Sequence, residues 1–177
     1  MIDNGEIIRI KKGLYVFEEE FRRKPLSLLY LANILYGPSY VSLEYALYHY
    51  GLIPERVAEV TSVTPGRSKR YVTPVGRFSY RHIPLRCFAS GMDLIVNDAG
   101  SSYLMAGKEK ALVDKVHFGP QLRTISEVVR YLFDDLRLSA PDLMQFNLSR
   151  ITEYCKEYDS GKSTLLVQFF EKFLREK

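Results

Sequence analysis

Residues 36–54 constrain the fold most strongly, because they contain signals for both the start and the end of one helix. The Gly-Pro pair at 37–38 cannot continue a preceding helix, and Ser42 can cap the next one through its hydroxyl. The apolar residues that then recur at helical spacing are Leu43, Ala46, Leu47 and Tyr50. Gly51 accepts the left-handed geometry that closes a helix. The stretch therefore predicts a short, capped and half-buried helix.

The chain before this helix predicts a strand pair and a second helix. Residues 6–10 and 14–17 have the composition of short strands, joined by a turn at 11–13 with lysines at its tip. Residues 25–36 carry one wide apolar face and predict a helix. Because the connection to the capped helix is short, we expect the two helices to pack antiparallel.

The chain after this helix changes from the helical period to a strand pattern and back. Residues 58–83 are rich in β-branched and aromatic residues with Pro and Gly between them, which predicts a meander of three or four strands. A hairpin is predicted at 93–105. Helices are then predicted over residues 106–118, 126–136, 139–158 and 163–175. The predicted fold class is α+β, an antiparallel sheet with C-terminal helices covering one face.

The segment from Val60 to Met92 contains no Asp or Glu. The whole chain has 25 basic and 21 acidic residues, a net charge of +4, so its positive excess is concentrated here. The basic residues of the segment are Arg67, Lys69, Arg70, Arg77, Arg81 and Arg86, with His82 beside them. Aromatic residues interleave with these charges, a mixture typical of proteins that track a polyanion along its backbone.

Strand alternation gives the segment two interpretations. Residues 77, 79 and 81 share one face, and Phe78 and Tyr80 share the other. The arginines are either a solvated face above an aromatic core or a surface that binds phosphate or an acidic partner. The candidate nucleic-acid or anion-binding residues are Lys11, Lys12, Arg67, Lys69, Arg70, Arg77, Arg81 and His82.

Motifs for catalysis are incomplete, so we expect a binding protein rather than an enzyme. The run at 161–164 imitates the end of a phosphate-binding loop, but Lys156 stands where its first glycine is required. Glu109, Lys110 and Asp114 keep a cryptic nuclease or phosphotransferase open as an alternative. The two cysteines lie far apart without metal-ligand spacing, so no metal and no cofactor is expected.

Four stretches in order resemble one known family. They are Lys-Gly-Leu-Tyr-Val at 12–16, Gly-Pro-Ser-Tyr-Val-Ser-Leu-Glu-Tyr-Ala-Leu at 37–47 with Gly-Leu-Ile-Pro-Glu at 51–55, Gly-Arg-Phe-Ser-Tyr-Arg-His-Ile at 76–83, and Ala-Gly-Lys-Glu-Lys-Ala-Leu-Val-Asp at 106–114. Together they resemble the AbiEi-type antitoxins of type IV toxin–antitoxin systems, which act in abortive infection by phage. The resemblance spans roughly residues 5 to 118.

The resemblance implies transcriptional autoregulation by binding operator DNA, and neutralisation of a nucleotidyltransferase-like toxin encoded nearby. It identifies residues 12–16 with the last strand of the family's winged helix-turn-helix. Only about a dozen residues precede that strand, too few for a recognition helix as well. We therefore expect a truncated winged-helix remnant, with a wing-like strand pair and connector at 1–24 and an AbiEi-like α+β domain at 25–177.

Two further expectations concern place and partner. No apolar run approaches the roughly 20 residues needed to cross a bilayer, and the first residues lack the pattern of a secretory signal, so we expect a cytoplasmic protein without membrane contact. The alternative to a DNA-binding regulator is a protein-interaction module whose basic strands dock an acidic partner. The sequence does not indicate an oligomeric state.

Overall fold

Strands and helices are interspersed as far as residue 106, and the elements from residue 108 onward are all helical. The computed structural model describes residues 6–175. Its strands are β1 (Ile7–Lys11), β2 (Leu14–Phe17), β3 (Tyr40–Val41), β4 (Glu59–Thr64), β5 (Lys69–Thr73), β6 (Gly76–His82), β7 (Met92–Val96) and β8 (Ser102–Ala106). Its α-helices are α1 (Leu28–Leu35), α2 (Leu43–His49), α3 (Leu85–Phe88), α4 (Lys108–Phe118), α5 (Ile125–Arg130), α6 (Ala140–Leu143), α7 (Leu148–Tyr158) and α8 (Gly161–Arg175). A π-helical turn, Tyr131–Asp135, follows α5.

The larger sheet has six strands in the order β5-β6-β4-β3-β8-β7, and β1 and β2 form a separate antiparallel pair. The predicted α+β class and the predicted N-terminal strand pair are confirmed. The larger sheet is mixed, however, because β4 pairs with β6 and β3 with β8 in parallel. The prediction of an antiparallel meander is corrected on this point.

Burial explains why β6, and not β5, lies beside β4. Phe78 of β6 is completely buried, whereas the side chain of Val72 on β5 is 77% exposed. The Pro74-Val75 turn ties β5 and β6 into one antiparallel hairpin. With its apolar strand placed centrally, the hairpin leaves the charged strand β5 at the sheet edge, where charge discourages unwanted pairing.

The start of α2 differs from the sequence prediction, whereas its end agrees. Ser42 precedes the helix, but its hydroxyl makes no cap bond and instead donates to Oδ2 of Asp114 at 2.7 Å. The main-chain N–H of Tyr45 donates to Oγ1 of Thr61, on β4, at 3.0 Å. A hydroxyl from a neighbouring strand therefore caps the helix. Gly51 follows the helix with φ of +69°, as predicted.

The single helix predicted for residues 139–158 is wrong, because the structure has two helices there, α6 and α7. Asn147 separates them: its Oδ1 accepts from the N–H of Arg150 at 3.2 Å, and its own N–H donates to Glu109 at 3.0 Å. Both contacts satisfy main-chain donors at a new helix start. The predicted start at Ser139 is confirmed by a capping box.

The strand pair β1–β2 contacts the rest of the fold through a few residues. Ile10 is buried in the main hydrophobic core, and Nζ of Lys11 donates to the main-chain oxygen of Leu35 at the end of α1. At the other end of the chain, α7 and α8 pack against α4, which also contacts α2 and β8. The domain boundary after residue 24 and the winged-helix interpretation of the pair stay predictions.

Candidate anion-binding groove

Strand β6 presents arginines on one face and aromatic rings on the other. Phe78 and Tyr80 are buried, and the Tyr80 hydroxyl donates to the main-chain oxygen of Ala32 on α1 at 2.6 Å. Arg77 and Arg81 are exposed. The predicted alternation is confirmed, and the core holds the rings while the guanidinium groups reach solvent.

Neighbouring elements extend the exposed face into a groove. The β5–β6 register places Arg70 opposite Ser79, so both side chains lie on the face of Arg77 and Arg81. Arg56, from the loop between α2 and β4, lines the same groove. We call this the arginine groove, and its cationic residues are Arg56, Arg70, Arg77 and Arg81.

Two carboxylates also line the arginine groove, and both have cationic partners. Glu59 Oε1 accepts from Nε of Arg70 at 2.8 Å, and Oε2 accepts from Nη2 at 3.4 Å. Glu44 Oε1 lies 2.6 Å from Nζ of Lys115. Partial burial alone would raise the pKa of Glu44, but the hydrogen bond and charge of Lys115 outweigh it and hold that pKa below its usual value. Arg70 is thus already neutralised by a residue just outside the acid-free segment.

The other three arginines keep their charge available. Within residues 6–175, no salt bridge joins Arg56, Arg77 or Arg81 to a carboxylate. The guanidinium of Arg81 lies 5.0 Å from the ring centroid of Phe118, the last residue of α4, in a cation–π contact. The groove therefore has an excess of positive charge concentrated on three exposed side chains.

The remaining candidates from the basic segment lie outside the arginine groove, although Lys69 lines a neighbouring hollow together with Arg70 and Arg81. Lys69 is paired in register with Tyr80, hence on the opposite face, and its Nζ lies 4.6 Å from the ring centroid of Tyr36. Nδ1 of His82 lies 2.9 Å from the main-chain oxygen of Gly66. Arg67 is exposed on the turn between β4 and β5. The structure thus divides the predicted basic set between two faces of the sheet.

The two lysines of the β1–β2 turn also separate. Lys11 is half-buried and bonds to the end of α1, so its ammonium group serves the fold. Lys12 is exposed at the tip of the turn. The predicted contact between this turn and nucleic acid therefore depends on Lys12.

Sequence reasoning missed Arg56 and the two carboxylates of the groove. Arg56 follows Glu55 in a loop outside the acid-free segment, so the local charge pattern gave no signal. Glu44 belongs to the first turn of α2 and reaches the groove only because that helix begins beside β4. Glu59 directly precedes Val60, so a count of charges that included the residues flanking the acid-free segment would have found it.

Two of the three residues considered for catalysis, Lys110 and Asp114, belong to a closed polar cluster inside the fold, whereas Glu109 is buried and accepts from the N–H of Asn147 at 3.0 Å. The Lys110 and Asp114 side chains are both fully buried, with Nζ 3.0 Å from Oδ1. Three hydroxyl groups donate to the Asp114 carboxylate, those of Tyr40 at 3.1 Å, Ser42 at 2.7 Å and Tyr158 at 2.6 Å. Burial, reinforced by the Asp114 charge, raises the pKa of both tyrosines above their usual value. The cluster ties β3, α2, α4 and α7 together and offers no exposed acid or base.

Lys162, from the run that imitates a phosphate-binding loop, is also used by the fold. Its Nζ donates to the main-chain oxygens of His117 and Gly119, both at 2.8 Å, and to that of Val116 at 3.3 Å. These carbonyl groups lie at the C-terminus of α4, where the last carbonyls of a helix lack helical partners, although that of Val116 also accepts from the N–H of Gly119 at 3.1 Å. Lys162 is therefore a helix cap supplied by α8.

Residues 6–175 hold no group of three or more His, Cys, Asp or Glu side chains placed to bind a metal ion. In the same range, every helix is too short or too polar to cross a lipid bilayer.

Comparison with known proteins adds no identification. No protein-family model matches the chain, and a search of curated proteins found no significant match. The AbiEi-type resemblance therefore stays a prediction that rests on the four sequence stretches.

Proposed function

We propose that this chain is an AbiEi-like antitoxin or transcriptional regulator of a phage-defence module, which acts in the cytoplasm by binding nucleic acid through the arginine groove. One observation carries the binding role: Arg56, Arg77 and Arg81 line one exposed groove, and none of them forms a salt bridge within residues 6–175. The family role comes from the motif resemblance alone.

Arginine suits this role better than lysine would. A guanidinium group presents a rigid fork of donors that matches the oxygens of a phosphate, and it is always charged. Three such groups lining one groove, with the hydroxyl of Ser79 beside them, favour a backbone with closely spaced phosphates over a single small anion. Contacts of this kind position a protein on nucleic acid and do not read sequence.

Fluorescence anisotropy with a duplex from the region upstream of the gene tests the proposal. We expect binding at low salt, and we expect the Arg77→Gln/Arg81→Gln variant to bind about tenfold or more weakly because two charge-assisted contacts are lost. The matched control is Arg150→Gln/Lys156→Gln, which removes two exposed charges of α7. Absence of binding at low salt, or equal losses in both variants, would refute the groove as the site.

The antitoxin role has a separate test. Coexpression with the neighbouring nucleotidyltransferase-like gene should reduce the toxicity of that gene product. Unchanged toxicity with a well-expressed, folded protein would contradict the role. An unrelated neighbouring gene would leave only the nucleic-acid proposal.

A second candidate function is docking of an acidic protein partner. The observation that favours it is the two-point contact between Glu59 and Arg70, because it places a carboxylate among the guanidinium groups of the groove. This candidate predicts one stable protein partner. The Arg77→Gln/Arg81→Gln variant should bind that partner more weakly, and excess duplex DNA should not change the binding. Competition between partner and DNA would instead support a shared site.

A further inference from the structure

The strand pair β1–β2 has an outer face that the fold leaves uncovered. In the antiparallel register Arg9 lies opposite Tyr15 and Ile7 opposite Phe17, so all four side chains share one face. Tyr15 is 44% exposed and Phe17 57% exposed. Ile10 belongs to the hydrophobic core and Ile8, Leu14 and Val16 pack against it, so the pair turns these four aliphatic residues inward and its aromatic rings outward.

We propose that this outer face, formed by Ile7, Arg9, Tyr15 and Phe17, is a base-stacking platform for single-stranded nucleic acid. The choice of nucleic acid as the ligand rests on the proposed function, but the residues of the platform are separate from those of the arginine groove. The strand pair would then bind bases on its outer face, in addition to the contact with backbone phosphates that is expected at Lys12.

The geometry of the face fits stacked bases. Tyr15 and Phe17 lie two residues apart on one strand, about 7 Å, so each ring offers its own surface to one base of an extended strand. Stacking on an aromatic side chain tolerates any sequence, because every base has a π face. Arg9, across from Tyr15, adds a guanidinium plane that can stack on a base or bind a phosphate.

Charge limits the path of the strand. Lys12 and Arg9 lie toward the turn, whereas Glu18–Glu20 follow Phe17 at the other end of β2. Nε of Arg22 donates to the main-chain oxygen of Phe17 at 2.6 Å and places one cation beside that end. Because three carboxylates repel phosphate, we expect the nucleic-acid backbone to lie between Phe17 and the turn and not to extend past Phe17 toward Glu18–Glu20.

The exposed apolar side chains of β7 do not offer the same chemistry. On β7, the edge strand at the far side of the larger sheet, Leu94 is 66% and Val96 62% exposed. These side chains are aliphatic and have no π face for a base. A cation beside two exposed aromatic rings, on one strand face, distinguishes the β1–β2 platform.

A fluorescent reporter tests base stacking directly. The chain contains no tryptophan, so Phe17→Trp introduces a single indole on the platform, and Tyr30→Trp, on the exposed side of α1, is the matched control. Titration with an oligothymidine of about 12 nucleotides should quench the fluorescence of the Phe17→Trp variant strongly and that of the Tyr30→Trp variant weakly.

Two results would overturn the platform. One is binding of the oligothymidine without quenching in the Phe17→Trp variant. The other is a blue shift of that variant's emission that grows with protein concentration alone, because the face would then bind a second copy of the chain.

Affinity measurements separate this proposal from the groove. Tyr15→Thr/Phe17→Thr should bind the oligothymidine about tenfold or more weakly, while binding of a duplex of equal length changes little. If Arg77→Gln/Arg81→Gln leaves both ligands bound while the platform variant loses the single strand, the proposed groove fails and the platform stands. If the platform variant binds the single strand as tightly as the unmodified chain, the platform fails whatever the groove does.

Discussion

At the residue scale, the buried polar contacts converge on Asp114. Its carboxylate accepts from Tyr40, Ser42 and Tyr158 and pairs with Lys110, all inside the fold. We expect Asp114→Ala to lower the free energy of unfolding by about 3–5 kcal/mol, because the Lys110 ammonium is left buried without a counter-charge. Urea unfolding measures the change.

The control for this prediction is Asp134→Ala, which removes an exposed carboxylate. It should change the free energy of unfolding by less than about 0.5 kcal/mol. A loss below about 1 kcal/mol for Asp114→Ala would mean that the cluster does not stabilise the fold in the way its contacts indicate.

Also at the residue scale, Glu44 makes stability depend on pH. Its pKa in the folded protein is lower than its ordinary value of 4.5, with Lys115 the principal cause of the lowering. The group therefore stabilises the fold above pH 4.5, and this contribution is lost as the pH falls through the lowered folded-state pKa. Glu44→Gln should lose more stability at about pH 7 than at about pH 3. Because the side chain is 38% exposed, we expect less than about 1 kcal/mol, measured by urea unfolding at both pH values.

At the scale of elements, α2 begins correctly only because β4 lies beside it. Thr61 accepts from the N–H of Tyr45 and donates to the main-chain oxygen of Ser42, at 3.0 and 2.6 Å. Thr61→Val should lower the free energy of unfolding by about 1 kcal/mol through loss of the cap. Thr61→Ser, which keeps the hydroxyl, should recover most of it in thermal unfolding. Equal losses in the two variants would indicate a packing effect.

A second contact between elements joins α8 to the end of α4. Lys162 places three N–H donors on carbonyl oxygens of residues 116–119. Lys162→Met should therefore lower the melting temperature, with a loss of about 1 kcal/mol, and leave nucleic-acid binding unchanged. Lys156→Met, at an exposed position on α7, is the control and should change neither. If Lys162→Met instead weakened nucleic-acid binding at unchanged stability, the cap interpretation would be wrong.

At the scale of the whole molecule, the net charge of +4 is distributed unevenly. The salt dependence of nucleic-acid affinity should therefore show which part of the surface contacts phosphate. Each phosphate contact releases counterions, which adds about 0.9 to the slope of log affinity against log salt concentration. Arg77→Gln/Arg81→Gln should reduce the slope for duplex DNA by about 2. Arg150→Gln/Lys156→Gln should leave it unchanged. An unchanged slope in the groove variant would place the phosphate contacts elsewhere on the molecule.

The elements that were predicted correctly depend on neighbours in sequence. The β1–β2 pair, the end of α2 at Gly51, the start of α6 at Ser139 and the alternation along β6 are all set within a few residues, by turn geometry, capping chemistry and a two-residue period. These preferences act before any distant contact forms. They could therefore be inferred from sequence alone.

The parts that were missed depend on which distant groups meet. The hydroxyl of Ser42 can cap a helix or bind a carboxylate, and only the arrival of Asp114 from α4 decides between them. In the same way the pairing of β6 with β4 placed Glu59 beside Arg70 and brought Arg56 to the groove. Sequence by itself determined the local elements and the concentration of charge. The tertiary structure decided which charges remained unpaired, because ion pairs and strand order depend on proximity in space, which residue spacing does not encode.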